Sequence, residues 1–300
     1  MVDLILVAQQ IRLDQFAIQV SRALASADIP HALLKGPTTA NWLYDPPRAY
    51  SDVDMLVPRS RVDDSVRALG QDGVAHPSGG RLGEEAGHCL MMASQEGMEL
   101  DLHAALPLMS LPRSATDDTV WDTLARHLVG FDIDGVMVPA LDVPARCLVL
   151  SLHAVSGGLD RDRVQEDLLR ARRLATQTDW QSAASLAEGL GIVPLMRLGL
   201  STIEEGWADE SDPAGARLLL TDSSAAFQIQ RLSELSLHAV PSAIWREVFP
   251  SRGFMRRAYP DLTTKRGGLV GAYARRLLKM TFELPSAART WREARRARRG

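Results

Sequence analysis

Cysteine is nearly missing from this chain. Cys89 and Cys147 are the two in 300 residues, too few for a disulfide framework or a four-thiolate zinc site, and a reducing, cytoplasmic setting is the simplest expectation. His88 and Cys89 have no further ligands nearby in sequence, so zinc binding there is not expected. Aromatic residues are scarce at 5%, and the six tryptophans read as core or interface positions rather than as a base-stacking platform. No run of ~18 consecutive apolar residues occurs, so no transmembrane helix is expected. The opening MVDLILVAQQIRLDQ lacks the basic start and cleavage region of a signal peptide, so secretion is not expected. What is there is an ordinary globular mixture, 46% hydrophobic and 24% charged, which excludes intrinsic disorder and collagen-like repetition. At ~100–200 residues per domain the length suggests two domains.

The net charge of −3 hides an asymmetry. Residues 251–300 hold 14 Lys and Arg against Asp261, Glu283 and Glu293, a net of +11 that leaves −14 for residues 1–250. A basic tail can attract phosphates, nucleic acid, anionic lipid or the acidic body of its own chain, and it can equally be a solvated helix face.

Periodicity places a loose helical pattern of one or two amphipathic segments over residues 4–26, broken at Asp28-Ile29-Pro30. His31–Lys35 fits a short buried strand, and Gly36-Pro37 ends it and opens a helix running to about Tyr44. Asp45-Pro46-Pro47 is a loop, and Ser51–Val57 alternates polar and apolar residues as a second strand. Residues 60–70 read as helix and 76–87 as a glycine-rich connection. His88–Ser94 and Met98–His103 form a hairpin around Gln95-Glu96-Gly97, and Phe131–Val138 adds a hairpin or edge strand. Beyond Pro144 the Ala/Leu/Arg-rich stretches 145–155, 163–176, 181–190, 214–221 and 224–235 favour helices. The expected fold is α+β, a mixed α/β unit followed by a mostly helical region. The division falls near 140–145, giving residues 1–142 as one domain and 143–300 as a helical domain with the basic tail.

The chemistry concentrates in two places. On an extended strand Asp52 and Asp54 point the same way, with Cα atoms roughly 6.5–7 Å apart. Carboxylates crowded onto one apolar strand face repel one another and call for a cation. Mg²⁺, with Mn²⁺ as a substitute, prefers such hard oxygen ligands and is shared between carboxylates and substrate phosphates. On the later strand Glu99, Asp101 and His103 share one face, so Asp101 or Glu99 could supply a third acid. Three carboxylates can hold two Mg²⁺ ions ~3.5–4 Å apart, the arrangement used in two-metal nucleotidyl transfer. His103 reads as a proton acceptor or substrate contact, or as a hydrogen-bonded structural histidine.

The Gly36-Pro37 turn supplies a helix start whose amides at Thr38 and Thr39 could cradle phosphates, with glycine letting a phosphate approach the backbone. Lys35 and Arg48 could add positive charge, although each could instead form a structural ion pair. Ser51, beside the acids, completes this nucleotide-binding group.

At these residues the sequence resembles the uncharacterised nucleotidyltransferases of the polymerase-β-like superfamily. The resemblance rests on Leu34-Lys35-Gly36, Tyr44, Arg48 and Asp52-Val53-Asp54, and is specific over about residues 31–58. Weaker support comes from Asp101-Leu102-His103, from Leu150-Ser151-Leu152-His153 with Asp167-Leu168, and from Val248-Phe249-Pro250-Ser251 with Met255-Arg256. It favours Asp101 over Glu99 as the third acid. It implies a small mixed β-sheet with flanking helices as a catalytic domain over residues 1–142, and a helical specificity domain over 143–300. It also implies Mg²⁺ at the Asp pair, an NTP donor, and transfer of a nucleoside monophosphate to an acceptor hydroxyl on a small molecule, peptide or protein. Where the superfamily usually has Gly-Ser or Gly-Gly this chain has Gly36-Pro37, which shifts phosphate binding to Thr38 or Thr39. Two other readings remain open: γ-phosphoryl transfer, and a non-catalytic module binding RNA or a protein partner.

Overall fold

The structure is a computed structural model describing residues 4–77, 89–107, 109, 116–156, 161–204, 248–249, 255 and 268–297. The chain divides into two compact units, Met1–Glu205 and Gly206–Gly300. The first is built on a seven-stranded mixed sheet ordered β3-β4-β5-β2-β1-β7-β6. Its strands are β1 (Ala32–Leu33), β2 (Asp52–Leu56), β3 (His76–Pro77), β4 (Cys89–Ala93), β5 (Glu99–His103), β6 (Leu128–Ile133) and β7 (Val136–Leu141). The Asp-x-Asp strand β2 sits in the middle, antiparallel to β1 and parallel to β5.

Side-chain alternation decides what each face of the sheet carries. Val53 and Met55 of β2 and Leu100 and Leu102 of β5 enter one apolar cluster with Leu13, Phe16, Val20 and Leu24. Those last four come from helix α1 (Leu4–Ser26), and their spacing of three and four residues makes a single buried stripe. Two separate segments are therefore not needed over residues 4–26. Helix α3 (Val62–Gln71) buries Val62 and Leu69 on the same side.

The opposite face is covered by helices that follow β7. Leu34 and Leu56 of the sheet pack in a second cluster with Leu148 and Leu152 of α5 (Val143–Ser156) and Leu168 of α6 (Arg161–Leu174). Trp180, Ala183 and Leu186 of α7 (Gln177–Gly189) and Met196 and Leu200 of α8 (Val193–Leu200) extend that cluster. Helix α8 lies so close on α5 that a Cβ at Gly199 would stand 1.9 Å from the Ser151 carbonyl. Helices α2 (Pro37–Leu43) and α4 (Thr119–Leu124) join the same cluster through Leu43, Val120 and Leu124. The change of character expected near residues 140–145 is the passage from β7 to α5, within the first unit.

In the second unit the described helix is α9, Gly268–Ala297, with Val270, Leu278 and Phe282 exposed on it. The helices expected over 214–221 and 224–235 lie outside the described residues, as does His88. Among the described residues no helix is long and apolar enough to cross a membrane.

Candidate active site

The acids are brought together by register. In the parallel β2–β5 ladder Asp54 stands opposite Asp101 and Asp52 opposite Glu99. All four project from the face that carries Leu56, towards the α5 layer, because their odd or even partners fill the α1 side. Asp54 is enclosed at 3% exposure, while Asp52, Glu99 and Asp101 remain partly open.

Lys35 reaches this cluster from the end of β1. The Leu34 amide donates to the Asp54 carbonyl at 3.0 Å, so the β1–β2 pairing continues one step beyond the ladder before the chain turns. The turn is made at Gly36, with φ +69°, a conformation that glycine adopts without a Cβ clash. A Cβ there would lie 3.4 Å from the Asp52 carbonyl. Pro37 then opens α2. The outcome is a Lys35 Nζ 3.2 Å from Asp54 Oδ1, and the same oxygen lies 2.8 Å from His103 Nε2.

The charges do not cancel evenly. Burial would raise the Asp54 carboxyl, but Lys35 and the His103 hydrogen bond outweigh it and hold Asp54 ionised well below the usual carboxylate range. Burial and the neighbouring Asp54 charge raise Asp52. The same two causes, burial first, push Asp101 up to about 6. Burial pulls the Lys35 ammonium down, yet Asp54, Asp52 and Asp101 together leave it above its ordinary value. One lysine thus answers Asp54 while two half-buried acids stay under-compensated. That is the electrostatic condition in which a divalent cation is favoured. The residues fit Mg²⁺ in donor chemistry, since Asp52, Asp54 and Asp101 are hard oxygen donors on one face.

A second polar cluster flanks the first. Tyr44 donates its hydroxyl to Asp167 Oδ1 at 2.6 Å, and Arg48 Nε donates to that oxygen at 3.1 Å. Arg48 also pairs through Nη2 with Asp167 Oδ2. Asp167 comes from α6 and is 2% exposed. The guanidinium of Arg170 stacks 4.2 Å from the Tyr44 ring centre and that of Arg48 at 5.3 Å. Burial, then the bond to Asp167, pushes the Tyr44 hydroxyl up to about 12. Arg163 donates to the Ala49 carbonyl at 3.1 Å. On the other side Tyr50 donates to Asp14 of α1, and its amide donates to Gln10 Oε1 at 3.2 Å. Helices α6 and α1 therefore fix both ends of the segment that leads into the Asp-x-Asp strand.

The remaining residues singled out in the sequence take these places. Arg48 faces Asp167 of α6 rather than the Asp52–Asp54 cluster. Ser51 is exposed and donates to Asp52 Oδ1 at 3.2 Å. Thr38 and Thr39 are enclosed. Thr38 donates to the Lys35 carbonyl at 3.3 Å, and Thr39 Oγ1 is buried without a hydrogen-bond partner among the described residues. Neither hydroxyl is therefore open to a phosphate. His153 of α5 is half-buried, and its charge acts on Asp54.

Sequence reading missed one grouping. Cys89 of β4 stands opposite His103 of β5, with Met91 opposite Asp101. Among the described residues, Cys89, Asp101 and His103 are the set whose ligand atoms all lie within 4.8 Å of one another, rather than the three aspartates. Counting pairs outward from the Gln95-Glu96-Gly97 turn would have found it, because ligands far apart in sequence meet across a hairpin.

Comparison with known proteins follows the same residues. The sequence profile of a family described as uncharacterised nucleotidyltransferase matches residues 5–207. No curated protein matches the chain. Several solved structures show similarity, among them these two. An antigenic nucleotidyltransferase-like protein from Paracoccidioides brasiliensis is 17% identical, covering 63% of this chain and 92% of its own, with a TM-score of 0.35. The antibiotic-resistance factor ANT(2'')-Ia is 15% identical, covering 61% of this chain and 94% of its own, with a TM-score of 0.37.

Proposed function

The chain belongs to the uncharacterised nucleotidyltransferase family, and on that footing we propose that it transfers a nucleoside monophosphate from an NTP to an acceptor hydroxyl with the help of Mg²⁺. The observation that carries the reading is the acid face itself. Asp52, Asp54 and Asp101 share one side of β2 and β5, with negative charge beyond what Lys35 offsets. These three are the residues that would hold Mg²⁺, or Mn²⁺ in its place. When bound, a pair of such ions supplies Lewis-acid activation of the attacking oxygen and neutralises the triphosphate.

The chain's own residues do the rest. In the transfer the acceptor oxygen bonds to the α-phosphorus, the bond to the α–β bridging oxygen breaks, and pyrophosphate leaves with that electron pair. The acceptor hydroxyl gives up its proton, which Asp101, the more open partner of Asp54 in the ladder, would receive. Lys35 sets the position of Asp54 and lies where phosphate charge would gather. The Gly36–Thr39 turn offers backbone amides to the phosphate chain, and Ser51 stands at the rim beside Asp52. Arg48 supports this frame from Asp167, and it reaches a phosphate only by leaving that carboxylate. His103 keeps Asp54 oriented and, on this reading, would contact the acceptor.

Residues 143–300 are proposed to select the acceptor, a small molecule, a peptide or a protein, with the basic tail able to contact nucleic acid. A donor labelled at the α-phosphate tests the reaction. Label in the acceptor, Mg²⁺-dependent and lost in Asp52→Asn and Asp54→Asn, supports nucleotidyl transfer. Label arriving only from the γ-position replaces it with phosphoryl transfer, and NTP binding that ignores Mg²⁺ and both substitutions points to a non-catalytic module.

A further inference from the structure

The β4–β5 hairpin carries one donor that nucleotidyl transfer does not use, Cys89, beside two that it does, Asp101 and His103. Cys89 and His103 face each other across the ladder, and Asp101 lies two residues from His103 on the same face. One ligand atom from each falls within 4.8 Å of the others. Cys89 and His103 are enclosed at 3% and 2% exposure, so the half-open Asp101 is the way in. Sulfur, imidazole nitrogen and carboxylate oxygen at this separation suit Zn²⁺, Co²⁺ or Cd²⁺, whereas Mg²⁺ keeps to oxygen.

A second observation points the same way. A metal-bound imidazole characteristically gives its other N–H to a carboxylate, which fixes the ring and its tautomer. His103 Nε2 lies 2.8 Å from Asp54 Oδ1, so Asp54 already occupies the orienting position and a cation would take Nδ1. Burial raises the Cys89 thiol, and the Asp101 and Asp54 charges act in the same sense. In the metal-free protein the sulfur therefore keeps its proton, and an incoming cation forms the metal–thiolate bond while that proton passes to solvent, with no change of oxidation state.

We propose that Cys89, Asp101 and His103 form a site for a thiophilic divalent cation of the zinc class, and that its occupation excludes Mg²⁺ from the shared Asp101. The first half stands on the hairpin alone, and the second rests on the nucleotidyl-transfer reading. One carboxylate would then belong to two sites of opposite character: a hard-cation site completed by Asp52 and Asp54, and a soft one completed by Cys89 and His103. Zinc-class ions would act as a brake on transfer.

The test uses Co²⁺ as the probe in the metal-free full-length protein. Titration should develop the strong visible absorption of a four-coordinate site together with a thiolate-to-cobalt charge-transfer band in the near ultraviolet. Cys89→Ser should remove that band, whereas Cys147→Ser and Asp52→Asn should keep it. Excess Mg²⁺ should weaken apparent Co²⁺ affinity severalfold. Absence of the charge-transfer band in the unsubstituted protein overturns the site without reference to how any variant folds, and so does a band that persists in Cys89→Ser. A band whose Co²⁺ affinity ignores Mg²⁺ overturns the exclusion. That result is distinct from failure of the transferase reading, which shows as missing α-label transfer while the cobalt band is intact.

Discussion

Asp167 receives the Arg48 guanidinium through both carboxylate oxygens, and it accepts the Tyr44 hydroxyl on one of them. Helix α6 is thereby bonded to the segment that precedes the Asp-x-Asp strand, 119 residues away in sequence. Removing one partner of a buried pair leaves the other charge without its counter-ion, which costs more than removing both. Asp167→Asn should lower unfolding free energy by about 2–4 kcal/mol, read from urea denaturation. Arg48→Met combined with Asp167→Leu should cost less than Asp167→Asn alone. Additive losses in that cycle would show that the pair does no joint work.

Asp101 should trade stability for function. Its carboxyl is pushed up to about 6 from the ordinary 3.8, so the folded state holds this proton more tightly than the unfolded chain does. The stabilisation that goes with the bound proton is complete below 3.8 and is lost as pH rises through about 6. Metal-free Asp101→Asn should therefore be more stable than the parent above pH 6, by on the order of 1–3 kcal/mol, and gain nothing below the ordinary carboxyl value. Thermal melting across that range checks it. The same variant should lose transfer of α-label by about 10²-fold or more.

Lys35 competes with any cation for Asp54. Lys35→Met should tighten Mn²⁺ binding by about tenfold, equivalent to about 1.4 kcal/mol, as read by calorimetry. It should at the same time destabilise the metal-free fold, since buried Asp54 then loses the lysine 3.2 Å from it. Weaker Mn²⁺ binding in this variant would show that Lys35 assists the cation site rather than substituting for the ion.

Gly36 should not tolerate a side chain. Its φ of +69° and the 3.4 Å approach of a Cβ to the Asp52 carbonyl combine strain with crowding. Gly36→Ala should cost about 1–2 kcal/mol, measurable by denaturation. It should also reduce NTP-dependent protection more than it reduces metal binding, because the turn lies beside the acids rather than among them.

How far the sequence was legible depended on distance along the chain. Alternation over Ser51–Val57 and Met98–His103 placed the acids on one face, and β2 and β5 keep that parity. The Gly36-Pro37 punctuation marked the start of α2. What could not be read was long-range. A lone Arg48 gives no sign that its partner is Asp167 on a distant helix. Lys35 in sequence is equally a phosphate ligand and a counter-ion, and only the extra β1–β2 bond at Leu34 brings its ammonium to Asp54. Cys89 looked isolated because its neighbours His103 and Asp101 are assigned by hairpin register. Strand β1 was read as His31–Lys35 and is paired only over Ala32–Leu33, since strand ends are set by ladder partners rather than by composition.

The parallel pairing of β2 with β5 has a kinetic consequence. Asp54 meets His103 across 49 residues of intervening chain, so the cluster cannot close until α3 and the hairpin have been laid down beside it. Contacts of such separation slow folding, because the intervening loop must close before they are rewarded. A nascent polypeptide interrupted before residue 103 holds both early aspartates without their later companions, and ion capture should begin only when the protein has finished assembling itself.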